Sequence, residues 1–537
     1  MMTLWLRDRL AGKNLEDRTR EYLRDLQQAP TLESQNSASQ LLAQLRQEPG
    51  PHVRLGKTMW GEPVEVSLIE LVKATSVTTG GMGTGKTMFA LLAIQAMINR
   101  LPALDTMSFG VLDAKGELFE RALYLLARRL GELQGEEREA LLRRIVIIDF
   151  SSRSVISPYN ILACFHDDRE FFIASRLETL RDLLSGNEKL SLRGAVILKP
   201  TLMLLSELGL PPTYLDALLS DDVLRHRVLA HSRNSDVRSY FERHFLREPK
   251  STVAALRARM TELFGSESIR LALSGSTAPD FCDLQNRGQI VLVNCAGPTI
   301  TRGVRLLLLR WLLSDIRQAI FHRPNEPAVT YLWCADEAQN FFQTKQQLSD
   351  LTEVVTMGRS FGTFFSFLCQ NISASVPDAR LLKQLFTNVK WTMTLRDTPE
   401  DAQFLRSALP VTGRLARPDP NPFHEPTIYS CAEERSQLLD AIASLEDGVG
   451  YLWLKSRSPY AIKIRTERLD LPKGDMFRNA IEALRQDARF GSRLSRAEHD
   501  QRAKERDRHW FGTSRPAEVS AADWERTYRE PETLWQA

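Results

Sequence analysis

Residues 80–87 read GGMGTGKT, and no other stretch of the chain restricts its fold as tightly. The segment fits G-x-x-x-x-G-K-[ST] through Gly80, Gly85, Lys86 and Thr87. The glycines let the backbone curl, so that N–H groups along Gly80, Gly81, Met82, Gly83, Thr84 and Gly85 turn inward toward phosphate oxygens. A Val/Thr run precedes the loop. Phe89, Leu92, Ala93, Ala96 and Met97 follow at helical spacing, which predicts a helix over 87–99. That helix aims its N-terminal dipole at the same anion. Lys86 is expected to reach the β- and γ-phosphates and Thr87 to place its hydroxyl on Mg²⁺, so the pattern calls for ATP and Mg²⁺.

The rest of the chain has to supply a sheet around this loop. Apolar, strand-like runs at 76–79, 109–113, 145–149, 290–294, 329–335, 364–369, 389–395, 450–454 and 461–464 alternate with helical patterns. Such alternation predicts an α/β fold with a mostly parallel sheet. Residues 165–275 break the alternation with helical periodicity alone, as in FFIASRLETLRDLL and STVAALRARMTELF, and read as an inserted all-helical domain. The expected organisation is a polar helical segment at 1–50, the first part of the core at 51–164, the insertion at 165–275, the second part of the core at 276–470 and a charged helical tail at 471–537. Within 51–73, Gly56, Gly61 and Pro63 punctuate a short β lead-in. Prolines 410, 418, 420, 422 and 426 mark a long loop.

A P-loop needs a carboxylate at the end of a buried strand to hold the metal shell. AVTYLWCADEAQNF provides it: 329–335 is a continuous apolar run, and Asp336 and Glu337 follow where open α/β sheets bind ligands. Asp336 is the candidate for the Mg²⁺ shell and Glu337 for the general base that activates water. A second acid at this place marks water-activating ATPases rather than most kinases. Further on, GRSFG places Arg359 in a turn before the run TFFSFLCQ, which ends in Gln370. A strand-end amide can sense the γ-phosphate or its water, and an exposed arginine can act in trans as a finger.

Composition excludes some classes. The 537 residues carry 43% hydrophobic and 26% charged side chains with net charge +3, so the chain is neither a disordered polymer nor a polycation. Nucleic-acid contact has to come from local patches, such as Arg225, His226 and Arg227, or Arg257 and Arg259. The 6 cysteines form no C-x-x-C pair and read as reduced, largely buried thiols, and the 9 histidines show no zinc spacing. No apolar window is long enough for a membrane span, so the chain is expected in the cytoplasm, peripheral to the inner membrane only through partners. Trp510, Trp524 and Trp535 in the tail can anchor a partner or pack on the protein itself.

Taken together, these motifs resemble the coupling-protein ATPases of type IV secretion and conjugation, the TraG/TraD group, and more broadly the HerA/FtsK class of DNA-pumping motors. The lead-in LGKTMWGEPVEVSLIEL looks like that family's approach strand. DAKGEL at 113–118 resembles its D-P-K-G-E-L segment with Ala114 in place of proline, and SPYNIL at 157–162 its turn before the helical domain. DEAQNF and the GRSFG…Q pattern are the most specific matches, and the likeness covers roughly 50–465. It implies a RecA-like P-loop ATPase core and ATP hydrolysis coupled to sequence-independent DNA translocation in conjugative transfer. It also implies a homo-oligomeric ring, a hexamer, with Arg359 entering the neighbour's site and Gln370 sensing phosphate, and a relaxase or secretion-channel component as partner. A transmembrane anchor and a counterpart for the tail beyond 471 are not part of the match. Two other readings stay open: a motor for protein cargo, and a nucleotide-switched recruitment adaptor.

Overall fold

A computed structural model describes residues 32–512 except 166–168, 184–191, 265–266, 299, 342–344, 371, 373–378, 399–400, 402–428, 459–460, 473 and 488. The proline cluster, Trp524, Trp535 and most of the polar N-terminal segment lie outside the described residues. The chain forms two compact units. One contains 32–152 and 279–493, the other 153–278 and 494–512.

The first unit is built on an 11-stranded sheet. Its strands are β1 (His52–Thr58), β2 (Pro63–Ser67), β3 (Ser76–Thr79), β4 (Met107–Asp113), β5 (Ile145–Asp149), β7 (Ile290–Asn294), β8 (Thr330–Ala335), β9 (Thr363–Cys369), β10 (Trp391–Leu395), β11 (Val449–Leu454) and β12 (Ile462–Thr466), while β6 (Val155–Ile156) belongs to the second unit. The order is β2-β1-β12-β11-β10-β3-β9-β8-β4-β7-β5. From β10 to β5 every pairing is parallel, and from β10 outward through β11, β12, β1 and β2 every pairing is antiparallel. Burial follows from this. IVIID in β5, IVLVN in β7 and TFFSFLC in β9 are buried at every position, because helices cover both faces of a parallel sheet. HVRLGKT in β1 instead interleaves buried and exposed positions, as an antiparallel strand with one wet face does.

Parallel neighbours need crossover helices, and the apolar stripes of those helices fill the core. Lys86–Ile98 connects β3 to β4, and its Phe89 stands edge-on to Trp391 of β10 with ring centroids 5.8 Å apart. The helix Asp475–Arg485 also lies on this unit. Its Phe477, Ile481 and Leu484 recur at helical spacing and pack on the core, and Arg485 Nε donates to Asp149 Oδ2 at 2.9 Å. The charged composition of this stretch hides that stripe from a composition-based reading.

The second unit is helical apart from β6, which pairs antiparallel with β13 (Leu494–Ser495). Its helices include Arg169–Leu183, Leu192–Glu207, Asp222–Ala230, Ser235–Arg243 and Lys250–Leu263. Asp221 and Asn234 cap two of them, and Ser495 with Glu498 forms a capping box at the start of Arg496–Phe511. That last helix is tied into the unit along its length. Tyr214 Oη donates to Asp507 Oδ1 at 2.5 Å, His499 Nε2 lies 3.0 Å from Ser274 Oγ, and Arg227 Nη1 donates to the Trp510 carbonyl at 2.5 Å. Trp510 is buried and packs edge-on to His231, so of the two roles open to it, it packs on the protein itself. Among the described residues no helix is long and apolar enough to cross a membrane. Cys282, Cys295, Cys334 and Cys369 are buried free thiols, Cys164 is half-buried and Cys431 exposed.

One contact in the sheet is tight enough to test. Gly110 of β4 faces Trp333 of β8, and a Cβ at Gly110 would stand 2.3 Å from the indole ring, which is fully buried. Gly110→Ala is therefore expected to lower stability in urea unfolding by about 1–3 kcal/mol. Unchanged stability would contradict this packing.

Candidate nucleotide site

The loop after β3 is shaped by glycine where nothing else fits. Gly80 has φ +152, and a Cβ there would meet Thr84 Oγ1 at 2.8 Å and Leu395 Cβ at 2.9 Å. Gly85, at φ +110, begins the helix Lys86–Ile98 with no side-chain cap, so the first N–H groups of the helix keep no partner from a capping side chain. The loop is stitched to the strands beside it. Gly81 N–H donates to the Arg396 carbonyl at 2.7 Å, and Gly448 N–H donates to the Thr84 carbonyl at 3.0 Å. Thr84 Oγ1 donates back to the Gly81 carbonyl at 2.9 Å.

Lys86 is buried, and its Nζ donates to the carbonyls of Gly80 and Gly81, both at 2.7 Å. Burial lowers the pKa of its ammonium, and the charges of Asp336, Glu337 and Asp397 act in the other direction. Thr87 is half-buried in the first helical turn.

Sheet order brings the acids to this lysine. β9 lies between β3 and β8, and all three run parallel, so residues after β8 and β9 emerge at the same end of the sheet as the loop. Asp336 is buried, with its N–H on the Leu112 carbonyl at 2.9 Å. Its carboxyl is pushed up to about 7, first by burial, then by Asp113 and Glu337, against the Glu337 N–H bond and Lys86. Glu337 adopts φ +53, a left-handed conformation that costs a non-glycine residue about 1–3 kcal/mol and is characteristic of functional sites. Its carboxylate is gripped by two amides. Gln370 Nε2 donates to Oε1 at 2.5 Å and Oε2 at 2.6 Å, and Gln339 Nε2 also donates to Oε2. Gln339 Oε1 in turn accepts from Gln370 N–H at 3.2 Å, which closes the set. The Gln370 side-chain nitrogen thus stands on Glu337.

Arg359 is elsewhere. It is exposed in the turn between Lys345–Met357 and β9, at the N-terminal end of the strand whose C-terminal end carries Gln370. At about 3.3 Å per residue, the two ends of β9 are roughly 20 Å apart, beyond the reach of an arginine side chain. The structure thus groups Lys86, Thr87, Asp336, Glu337 and Gln370 at one end of the sheet and leaves Arg359 at the other.

Three further residues belong to this neighbourhood. Gln339 stands two residues beyond Glu337 on the short turn Ala338–Phe341. Asp397, just after β10, is buried, faces the charge of Lys86, and is pushed up to about 7 by burial and by Asp401. It follows an apolar run at the ligand end of the sheet just as Asp336 does, so the same sequence argument reaches it. Asp113 sits at the end of β4 beside Asp336, and burial raises its pKa. Its Oδ1 accepts from the N–H groups of Lys115 and Gly116 at 2.7 and 2.8 Å and its Oδ2 from Phe119 N–H at 2.8 Å, which builds the turn written DAKGEL and starts the helix Glu117–Glu132. The basic residues of the insertion are largely committed to packing. Arg225 is buried over the Phe245 ring, Arg227 holds the Trp510 carbonyl, and Arg257 pairs with Asp216 at 2.7 Å.

No family model matches the chain, and no curated protein matches it by sequence. Solved structures do. The unbound form of the bacterial conjugative coupling protein TrwBdeltaN70 aligns with a TM-score of 0.50 at 13% identity over 80% of this chain and 91% of that one. The plasmid coupling protein TrwB in complex with ADP and Mg2+ aligns with a TM-score of 0.50 at 12% identity over 81% and 92%. At such identities the likeness establishes a shared fold, mixed α/β with a large, mostly parallel sheet.

The raised pKa of Asp336 has a measurable consequence. Below about pH 4 the carboxyl is protonated in both folded and unfolded chains. As pH climbs toward 7 the unfolded chain ionises while the folded one resists, so stability is lost across that window. Asp336→Asn removes the loss. Without nucleotide or Mg²⁺, the variant is expected to exceed the parent in urea stability at pH 8 by on the order of 2 kcal/mol, with the difference shrinking toward pH 4. A variant no more stable at pH 8 would contradict the burial argument.

Proposed function

We propose that the chain is a Mg²⁺-dependent ATPase that forms a ring and moves DNA, in conjugative or mobile-element transfer. The observation that carries this reading is the meeting of Lys86 with Asp336 and the amide-gripped Glu337 across β3, β9 and β8. The fold shared with TrwB, solved with ADP and Mg2+, supports the same ligands here.

The residues present fit such a site. Gly81 to Gly85 offer a curled backbone and an uncapped helix start to phosphate oxygens. Lys86 Nζ, now on two loop carbonyls, would exchange them for phosphate oxygens. Thr87 Oγ1 and the Asp336 carboxylate would hold Mg²⁺ and its water shell, and the ion neutralises charge on the β- and γ-phosphates when bound. That charge also favours ionised Asp336, which burial disfavours in its absence. Glu337 accepts the proton of the attacking water at a carboxylate oxygen. Gln370 and Gln339 aim that carboxylate, and Gln370 can exchange its bond to Glu337 for one to the γ-phosphate, which makes it a reporter of the triphosphate state.

Arg359, as a finger, would act in trans: it is too far from its own site and would reach a neighbouring subunit's phosphates in a ring. DNA contact in such a motor is electrostatic and indifferent to sequence, so it weakens steeply with salt.

The test is steady-state ATP hydrolysis by the full chain with and without DNA. DNA is expected to stimulate turnover, with the stimulation fading as salt rises. Glu337→Gln is expected to keep nucleotide binding while losing turnover by about 100-fold or more. Turnover indifferent to every DNA tried would contradict the motor reading, and stimulation by a protein instead would replace its cargo.

A further inference from the structure

The turn that carries Arg359 is closed on itself and braced by one neighbouring segment. Gly362 N–H donates to the Arg359 carbonyl at 3.2 Å and Thr363 N–H to the Gly358 carbonyl at 2.9 Å. The end of the helix Arg302–His322 and the loop after it hold this turn from three sides. Before the turn, Arg317 pairs with Asp350 at 3.4 Å and Glu353 at 2.5 Å on the helix Lys345–Met357. Within the turn, Phe361 meets Phe321 edge-on with ring centroids 6.0 Å apart, and the Ser360 carbonyl accepts from Glu326 N–H at 3.3 Å. After the turn, Arg323 reaches Thr363, the first residue of β9.

Arg323 is the unusual member of this brace. It is only 3% exposed, and among the described residues no carboxylate pairs with it. Burial lowers its pKa to about 10, which leaves the guanidinium charged at neutral pH. Its partners are neutral oxygens. Nη1 donates to Thr363 Oγ1 at 2.7 Å, Nη2 to the Val329 carbonyl at 2.6 Å and Nε to Asn286 Oδ1 at 3.1 Å. Thr363 Oγ1 donates onward to Gln285 Oε1 at 3.1 Å, and Tyr331 N–H holds the Gly362 carbonyl at 2.8 Å.

A buried cation without a counter-charge is costly, and a packed apolar side chain would stabilise the fold as well. What the guanidinium adds is geometry. Its planar fork of donors ties the helix Phe281–Asn286, the approach to β8 and the start of β9 into one arrangement. Thr363 is four residues beyond Arg359, and the turn between them is fixed by its own hydrogen bonds. Holding Thr363 therefore holds the backbone of Arg359, whose side chain is exposed.

We infer that Arg323 is a positioning residue for Arg359: it fixes the start of β9 so that the Arg359 side chain is presented in one direction to a neighbouring subunit's phosphates. The inference rests on the reading of Arg359 as a finger in trans. ATP turnover by the full chain tests it, with Mg·ATP binding measured alongside. Arg323→Lys keeps the charge and loses the fork, and Thr363→Val keeps the shape and loses the hydroxyl. Arg323→Lys is expected to lose about tenfold or more in kcat, and Thr363→Val about threefold, since a small misplacement of a catalytic group is costly. Mg·ATP affinity is expected to stay within about twofold in both, because the P-loop lies at the other end of the sheet.

Mixed subunits give a readout that a weakened fold does not. Arg323→Lys subunits combined in equal amounts with Lys86→Ala subunits are expected to regain about half of the parent's turnover per intact P-loop, because about half of those sites then face an undisturbed Arg359. Lys86→Ala subunits that also carry Arg359→Ala are expected to restore nothing. Full turnover in both Arg323→Lys and Thr363→Val beside a large loss in Arg359→Ala overturns the positioning role and leaves the finger standing. Absence of rescue, rescue by the finger-less subunits, or a loss of ATP affinity as large as the loss of turnover overturns it as well. Full turnover in Arg359→Ala removes the finger reading and this inference together.

Discussion

A buried ammonium governs this molecule. Lys86 sits where water does not solvate it well, held by the carbonyls of Gly80 and Gly81 and faced by the charges of Asp336, Glu337 and Asp397. Burial pushes each partner toward neutrality: the lysine pKa falls, and the pKa values of Asp336 and Asp397 rise. Their mutual attraction offsets only part of that penalty. On the proposed reading, a phosphate for the lysine and a divalent cation for the acids would restore these pairings, each worth more in a low dielectric than in water.

The sheet explains why these groups meet. Parallel strands deliver the segment that follows each strand to one end, and the order β10-β3-β9-β8 sets the P-loop between an amide-bearing strand on one side and Asp397 on the other. The antiparallel extension through β11, β12 and β1 has its own part, since its turns reach back to the P-loop at Gly448. Arg359 shows the same geometry from the opposite side. A residue placed before a parallel strand is as far from the site as the sheet allows, and a finger there makes sense only between copies.

Much of this was legible in the sequence. Strands buried on both faces leave continuous apolar runs, so 145–149, 290–294 and 364–369 could be read directly. The placement of the loop 80–87 and of Asp336 with Glu337 was legible because a glycine-rich turn into a helix, and acids after a continuous apolar run, are written in particular residue types at fixed places. The two amides were harder. Gln370 stands at a strand end, but the pairing of Gln339 with Glu337 depends on a short turn and a left-handed φ that no local pattern announces. At the C-terminal end charge hides the packing. The stretch after 471 reads as a charged helical tail, and within it Phe477, Ile481 and Leu484 seat one helix on the sheet unit, while Trp510 is buried in the helical one. A few apolar residues at helical spacing outweigh many exposed charges, because burial is favourable while surface charges contribute little.

The most direct test of the account is equilibrium binding of Mg·ATP to the full chain and to its Lys86→Ala variant. One nucleotide per chain is expected, with affinity falling at least about tenfold when the ammonium is removed. A parent that binds no nucleotide, or a variant that binds it equally well, would contradict the claim that Lys86 and the acids facing it form a triphosphate site.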